Sequence, residues 1–118
     1  MNIIENITAD AIQNHFLEFS RGSIELQLLF EQSVQIWKMN VTYTNIDDSE
    51  PQPTTYGVKL TTGTTHIKHR NYPFDFAVID TTNQGVDPYR IDDFERGRCK
   101  LYFITPDEMI RIRGVDVR

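Results

Sequence analysis

His66 and His69 lie three residues apart, a spacing that on a helix sets two imidazoles on one face as ligands for a metal ion. The threonines before them and Pro73 after them argue against a helix, and no Cys, Asp or Glu stands at ligand spacing to complete the set. The two histidines read as solvated loop residues. Asp87, Asp92, Asp93 and Glu95 gather carboxylates in a short span, but a calcium cage needs oxygen ligands at alternate positions around a sharp glycine turn, and Tyr89-Arg90-Ile91 interrupts them. A solvated face paired with Arg90, Arg96 and Arg98 is the simpler expectation. Cys99 is the single thiol; a nucleophilic cysteine needs a base and an orienting group, whereas this one stands on an alternating apolar stretch and reads as a small buried filler. The sequence holds no glycine-rich phosphate loop, nucleophile elbow or dinucleotide fingerprint. A protein without catalytic activity, cofactor or metal is the expectation.

The elements that must position these residues are strands. Two alternating strings, Ile24-Leu26-Leu28-Phe30 and Trp37-Met39-Val41-Tyr43, flank the polar Glu31-Gln32-Ser33 and read as an antiparallel hairpin with one buried face. Before it, Phe16 to Phe19 reads as a short strand, and Ser20-Arg21-Gly22-Ser23 as a tight turn in which glycine supplies a positive φ. Val34 and Ile36 fall on the opposite parity from Trp37, so the spacing predicts a β-bulge near Ile36-Trp37. Asn45 to Thr55, acidic at Asp47 and Asp48 and broken by prolines 51 and 53, is an exposed loop. Alternation resumes over Tyr56 to Leu60, Phe74 to Asp80 and Arg98 to Ile104, with Ile91 to Gly97 as one helical turn closed by glycine. Thr105-Pro106-Asp107-Glu108 carries a helix-start signature, while Met109 to Val117 alternates; a brief turn and a final edge strand satisfy both.

These readings converge on one domain spanning residues 1–118, mainly β: a small antiparallel barrel or sandwich of about six or seven short strands with at most one or two short helical turns. Residues 1–15 stay open between an extended N-terminal arm and a helical face of Ile7, Ala11 and Ile12 behind a Thr8 cap, and residues 45–55 are the acidic loop. The expected core is Trp37 with Leu26, Leu28, Met39, Val41, Val58, Leu60, Phe74, Phe76, Val78, Leu101 and Phe103. A formal charge of −5, from 12 Lys and Arg against 17 Asp and Glu, argues against nucleic acid as the main partner. One cysteine forms no internal disulfide, no apolar run reaches membrane-spanning length, and the start lacks the basic and apolar regions of a signal peptide, so a cytoplasmic chain with no membrane contact is expected.

The order of these features resembles a known family. A glycine-turned hairpin (Phe19-Ser20-Arg21-Gly22-Ser23-Ile24), a strand with a central tryptophan (Ile36-Trp37-Lys38-Met39-Asn40-Val41), Tyr56-Gly57-Val58-Lys59-Leu60-Thr61-Thr62-Gly63, and late on Asp87-Pro88 with Gly97-Arg98-Cys99-Lys100-Leu101-Tyr102-Phe103 are similar to the small baseplate plug proteins of contractile-tailed bacteriophages. The resemblance covers about residues 16 to 105. It implies a β-rich, non-enzymatic virion protein in several symmetric copies, packed among hub, tube and neighbouring subunits at the tail baseplate and assembled in the bacterial cytoplasm. In that setting the expected contact residues are Asp47 and Asp48 of the acidic loop, His66, Lys68, His69, Arg70 and Tyr72 of the basic segment, and Arg111 and Arg113 near the end. A second reading is a β-barrel binding module for a peptide, carbohydrate or single-stranded nucleic acid, with Tyr56, Tyr72 and Tyr89 as stacking residues.

Overall fold

Strands that alternate apolar and polar residues each have one face to bury, and this chain buries them by facing two antiparallel sheets across a common core. The computed structural model describes residues 2–63, 67 and 72–113, the last two of them as backbone. The strands are β1 (Asn2–Ile3), β2 (Ile12–Phe19), β3 (Gly22–Glu31), β4 (Ile36–Asn45), β5 (Thr55–Lys59), β6 (Asp75–Asp80) and β7 (Cys99–Ile104), followed by helix α1 (Pro106–Arg113). One sheet runs β2-β3-β4-β5 and the other β1-β7-β6. The fold is mainly β with one short helix, as the alternation predicts. The two sheets do not close into a barrel.

Register places the apolar strings of the central hairpin side by side: Ile24 faces Tyr43, Leu26 faces Val41 and Leu28 faces Met39. Those six side chains are buried, as are Phe76, Val78, Leu101 and Phe103 from the opposing sheet and Leu60 and Phe74 from the connections. Val58 only half enters this core, at its rim. Trp37 is fully buried, with Phe94 edge-on at 5.5 Å and Phe30 tilted at 5.3 Å between ring centroids. Its indole N–H donates to the Arg90 carbonyl at 3.0 Å, so the ring joins β4 to the connection between β6 and β7.

Several local expectations are corrected. β2 begins at Ile12 rather than Phe16. The N-terminal residues are not an extended arm, because Asn2 and Ile3 pair with β7 and the buried Ile4 and Ile7 join the core. No bulge lies at Ile36-Trp37: Val34 belongs to the turn Gln32–Gln35, where Gln35 takes φ +53, and its parity reflects the turn rather than a strand. The irregularity sits instead in β5, where Tyr56 and Gly57 both stand opposite Asn40. There Gly57 adopts φ +68 and its amide donates to Asn40 Oδ1 at 2.8 Å. Residues 91–97 form successive turns rather than a helix, closed by Gly97 at φ +79.

The chain after Thr105 is helix through Arg113, not an edge strand. Thr105 and Glu108 form a reciprocal capping box, with Glu108 N–H to Thr105 Oγ1 at 3.4 Å and Thr105 N–H to Glu108 Oε1 at 3.1 Å. Met109 then packs on Ala77 and Ile104, covering the outer face of the three-stranded sheet. Cap and buried contact together outweigh the alternation of Ile110 with Arg111. The rest of the expected strand, residues 114–117, lies outside the described residues.

Three substitutions test this fold. Trp37→Ala should cost roughly 3–5 kcal/mol of unfolding free energy, measured by urea denaturation. At Gly22, φ is +144 and an added Cβ would overlap the Thr44 carbonyl oxygen. Gly22→Ala should therefore destabilise by about 1–3 kcal/mol from backbone strain alone, whereas Gly85→Ala, which meets no neighbouring atom, should cost less.

Candidate functional site

Of the residues expected to make contacts, Asp47 and Asp48 lie in the exposed loop after β4, and Arg111 is exposed on α1. Arg113 is the last helical residue. His66, Lys68, His69 and Arg70 lie outside the described residues. Tyr72 is a correction: it is buried, stacked on Phe74 at 5.0 Å, and its hydroxyl pairs with Thr55 Oγ1 at 2.9 Å. An aromatic ring beside a phenylalanine-rich strand found the core rather than the surface, because Thr55 satisfies its one polar atom. Ile67 is buried as well, its amide held by Asp75 Oδ1 at 3.1 Å. Ile67 and Tyr72 thus both belong to the core.

The expected solvated acidic face contains a buried polar cluster. Asp93 and Asp80 are buried, and both meet Arg98. Arg98 donates from Nε and Nη2 to the two oxygens of Asp93 at 2.9 and 2.8 Å, a bidentate pair, and from Nη2 and Nη1 to the carbonyls of Asp87 and Val86 at 3.0 and 3.1 Å. The guanidinium also lies 5.1 Å from the Tyr89 ring centre. Asp80 accepts from the amide and hydroxyl of Thr82 at 2.9 and 2.7 Å and from the Val86 amide at 3.0 Å, while the Tyr89 and Arg90 amides donate to Asp93. The cluster thereby folds residues 80–98 into a fixed shape and presents the Arg90 carbonyl to Trp37.

Electrostatics follow from these partners. Hydrogen bonds from Thr82 and Val86 hold the Asp80 carboxyl down at about 2. Burial opposes ionisation of Asp93, but the bonds from Arg98 and the two amides outweigh it and its pKa is lowered. Bonding to Asp93 raises the Arg98 pKa. Cys99, buried beside this cluster, has its thiol pushed up to about 11, chiefly by burial, so its reactive thiolate is disfavoured. No group of three His, Cys, Asp or Glu side chains converges as a metal site among the described residues.

The remaining candidate is the outer edge of β2. Its even-numbered side chains are exposed, with Phe16 at 73% and Ile12 at 67% accessible. Gln13, His15 and Leu17 face inward and are half-buried, and burial lowers the His15 pKa. At the C-terminal end of β2 the edge looks onto a cleft of about 440 Å³, bounded across by Asn2, Ile3, Pro106 and Asp107. A second cleft, of about 360 Å³, lies over Thr82, Tyr89, Arg90 and Arg96, with the engaged Arg98 at its floor. Sequence reasoning missed the β2 edge because Gln13 and Asn14 dilute its alternation; the available signal was the odd-position string His15, Leu17 and Phe19 leading into the Gly22 turn.

Comparison with protein-family models gives no match for this chain, and comparison with curated proteins gives none either.

Arg98→Ala should cost roughly 3 kcal/mol by leaving the buried Asp93 carboxylate unpaired, read from urea melts. A carboxyl with a depressed folded pKa stabilises the fold above its unfolded value, 3.8 for Asp80, and loses that contribution as pH falls through about 2. Stability of the native chain should therefore drop across that acid window, and Asp80→Asn should flatten the drop.

Proposed function

We propose that this chain is a non-enzymatic virion structural subunit of a contractile phage tail, seated in the baseplate against hub or tube proteins and assembled in the host cytoplasm. Two lines support the reading: the order of the tryptophan strand, the Tyr56-Gly57 stretch and the Gly97 to Phe103 stretch in the sequence, and the exposed edge of β2. The second is the observation that carries it. An edge strand with two large apolar side chains in water is a liability in a free monomer and an asset in an assembly that pairs it.

The same geometry disfavours the binding-module alternative. Of its three stacking tyrosines, Tyr72 is in the core, while the exposed Tyr89 lies 5.4 and 5.1 Å from the guanidinium groups of Arg90 and Arg98 and Tyr56 is exposed on the β5 bulge. One of the three rings is thus lost to a platform for successive bases or sugars.

Purified tail particles from an infected culture should contain the chain in stoichiometric amounts by quantitative mass spectrometry. A chain found free of particles, with micromolar affinity for an oligonucleotide, would overturn the proposal.

A further inference from the structure

The edges of the two sheets are not equally protected. β5 is short, bulged at Tyr56-Gly57 and charged at Lys59, and two prolines precede it. β6 is capped by backbone bonds between Gly63 and Val78 at 2.9 and 3.0 Å, and β1 is two residues long. β2 has none of these defences: it is eight residues long, carries no Pro, Gly or Lys, and its one full charge is Glu18.

Its backbone polarity is also defined. The Phe30 amide bonds the Ala11 carbonyl at 2.8 Å, which makes that opposed pair a hydrogen-bonded one. Antiparallel alternation then turns the N–H and C=O of Gln13, His15, Leu17 and Phe19 toward β3. Those of Ile12, Asn14, Phe16 and Glu18 point outward, and among the described residues nothing bonds them. The residues with outward backbone groups are thus the residues with exposed side chains.

We infer that β2 pairs antiparallel with β2 of a second copy of this chain, joining the two four-stranded sheets across a two-fold axis. The set of outward residues is its own complement. With the axis at His15, Ile12 pairs with Glu18 and Asn14 with Phe16 of the second copy, and every outward N–H and C=O of both strands is engaged. This register keeps even-numbered side chains of one copy on the same face as those of the other, as the pleat requires. It sets Glu18 opposite an isoleucine and far from Glu18 of the second copy. Parallel self-pairing would set the two glutamates side by side and is disfavoured. Phe16 of each copy then lies next to the apolar Ile12–Glu18 stems, covering the two rings that the monomer leaves in water.

The pairing does not rest on the phage reading, and it is tested with the full chain in solution. Sedimentation equilibrium should give the mass of two chains, and hydrogen exchange should show the amides of Asn14, Phe16 and Glu18 protected in proportion to protein concentration. Asn14→Pro removes an outward N–H that β3 does not use, and proline is tolerated at such an edge position. It should give the mass of one chain with the thermal midpoint of the monomer. Phe16→Lys, which adds an edge-protecting charge, should do the same and stands in if the proline variant fails to fold. A native chain that stays monomeric at hundreds of micromolar, or a dimer that survives the folded variants, would overturn the inference. Absence from tail particles would count against the proposed function and leave this pairing intact.

Discussion

Trp37 is the contact on which the two halves of the molecule depend. Its ring is buried between Phe30 of the hairpin and Phe94 of the connection, and its N–H holds the Arg90 carbonyl. The backbone carbonyl of the same residue accepts from Leu60, which fixes where the chain leaves β5. A single side chain therefore ties the four-stranded sheet to residues 80–98. Its partner in this role is Arg98, which holds Asp93, the residue that accepts from the Tyr89 and Arg90 amides next to the carbonyl bound by the indole. An apolar contact and a buried ion pair thus work in series: the first gains from removing a large ring from water, and the second sets the geometry that lets the ring's polar atom be satisfied.

Hydrogen bonds within the chain occupy the buried polar groups of this region. The buried acids are spent on backbone amides and on Arg98, and the thiol is sealed beneath them. The edge of β2 is different: its outward backbone groups and the side chains of Ile12 and Phe16 are uncovered, and it borders a cleft rather than another strand. The proposed role in an assembly draws on this contrast between a packed core and an edge whose hydrogen bonds are still to be made.

Much of the fold was legible because alternation was strong where burial was one-sided. β3, β4, β6 and β7 fall where the apolar strings place them, and Cys99, Leu101 and Phe103 share the inner face. Legibility failed where a residue's environment is set by partners distant in sequence. Asp80, Asp93 and Arg98 look like surface charges until the turn brings them together. Tyr72 looks like an interface ring until Thr55 is known to face it. The bulge was misplaced because parity cannot distinguish Val34 in a turn from Val34 in a strand. The last segment satisfied two patterns at once, and only the contact of Met109 with Ala77 decides between them. The exposure of the acidic loop was foreseen, whereas the β2 edge was not, since an unpaired backbone leaves no mark on composition.

The proposed pairing through β2 is decided by a crystal structure of the purified full chain. Continuous strand density from a second copy should lie alongside Ile12–Phe19, with the residue 80–98 turn unchanged around Arg98. A map in which that edge is bathed in solvent, while the subunit meets its neighbours through other surfaces alone, would contradict it.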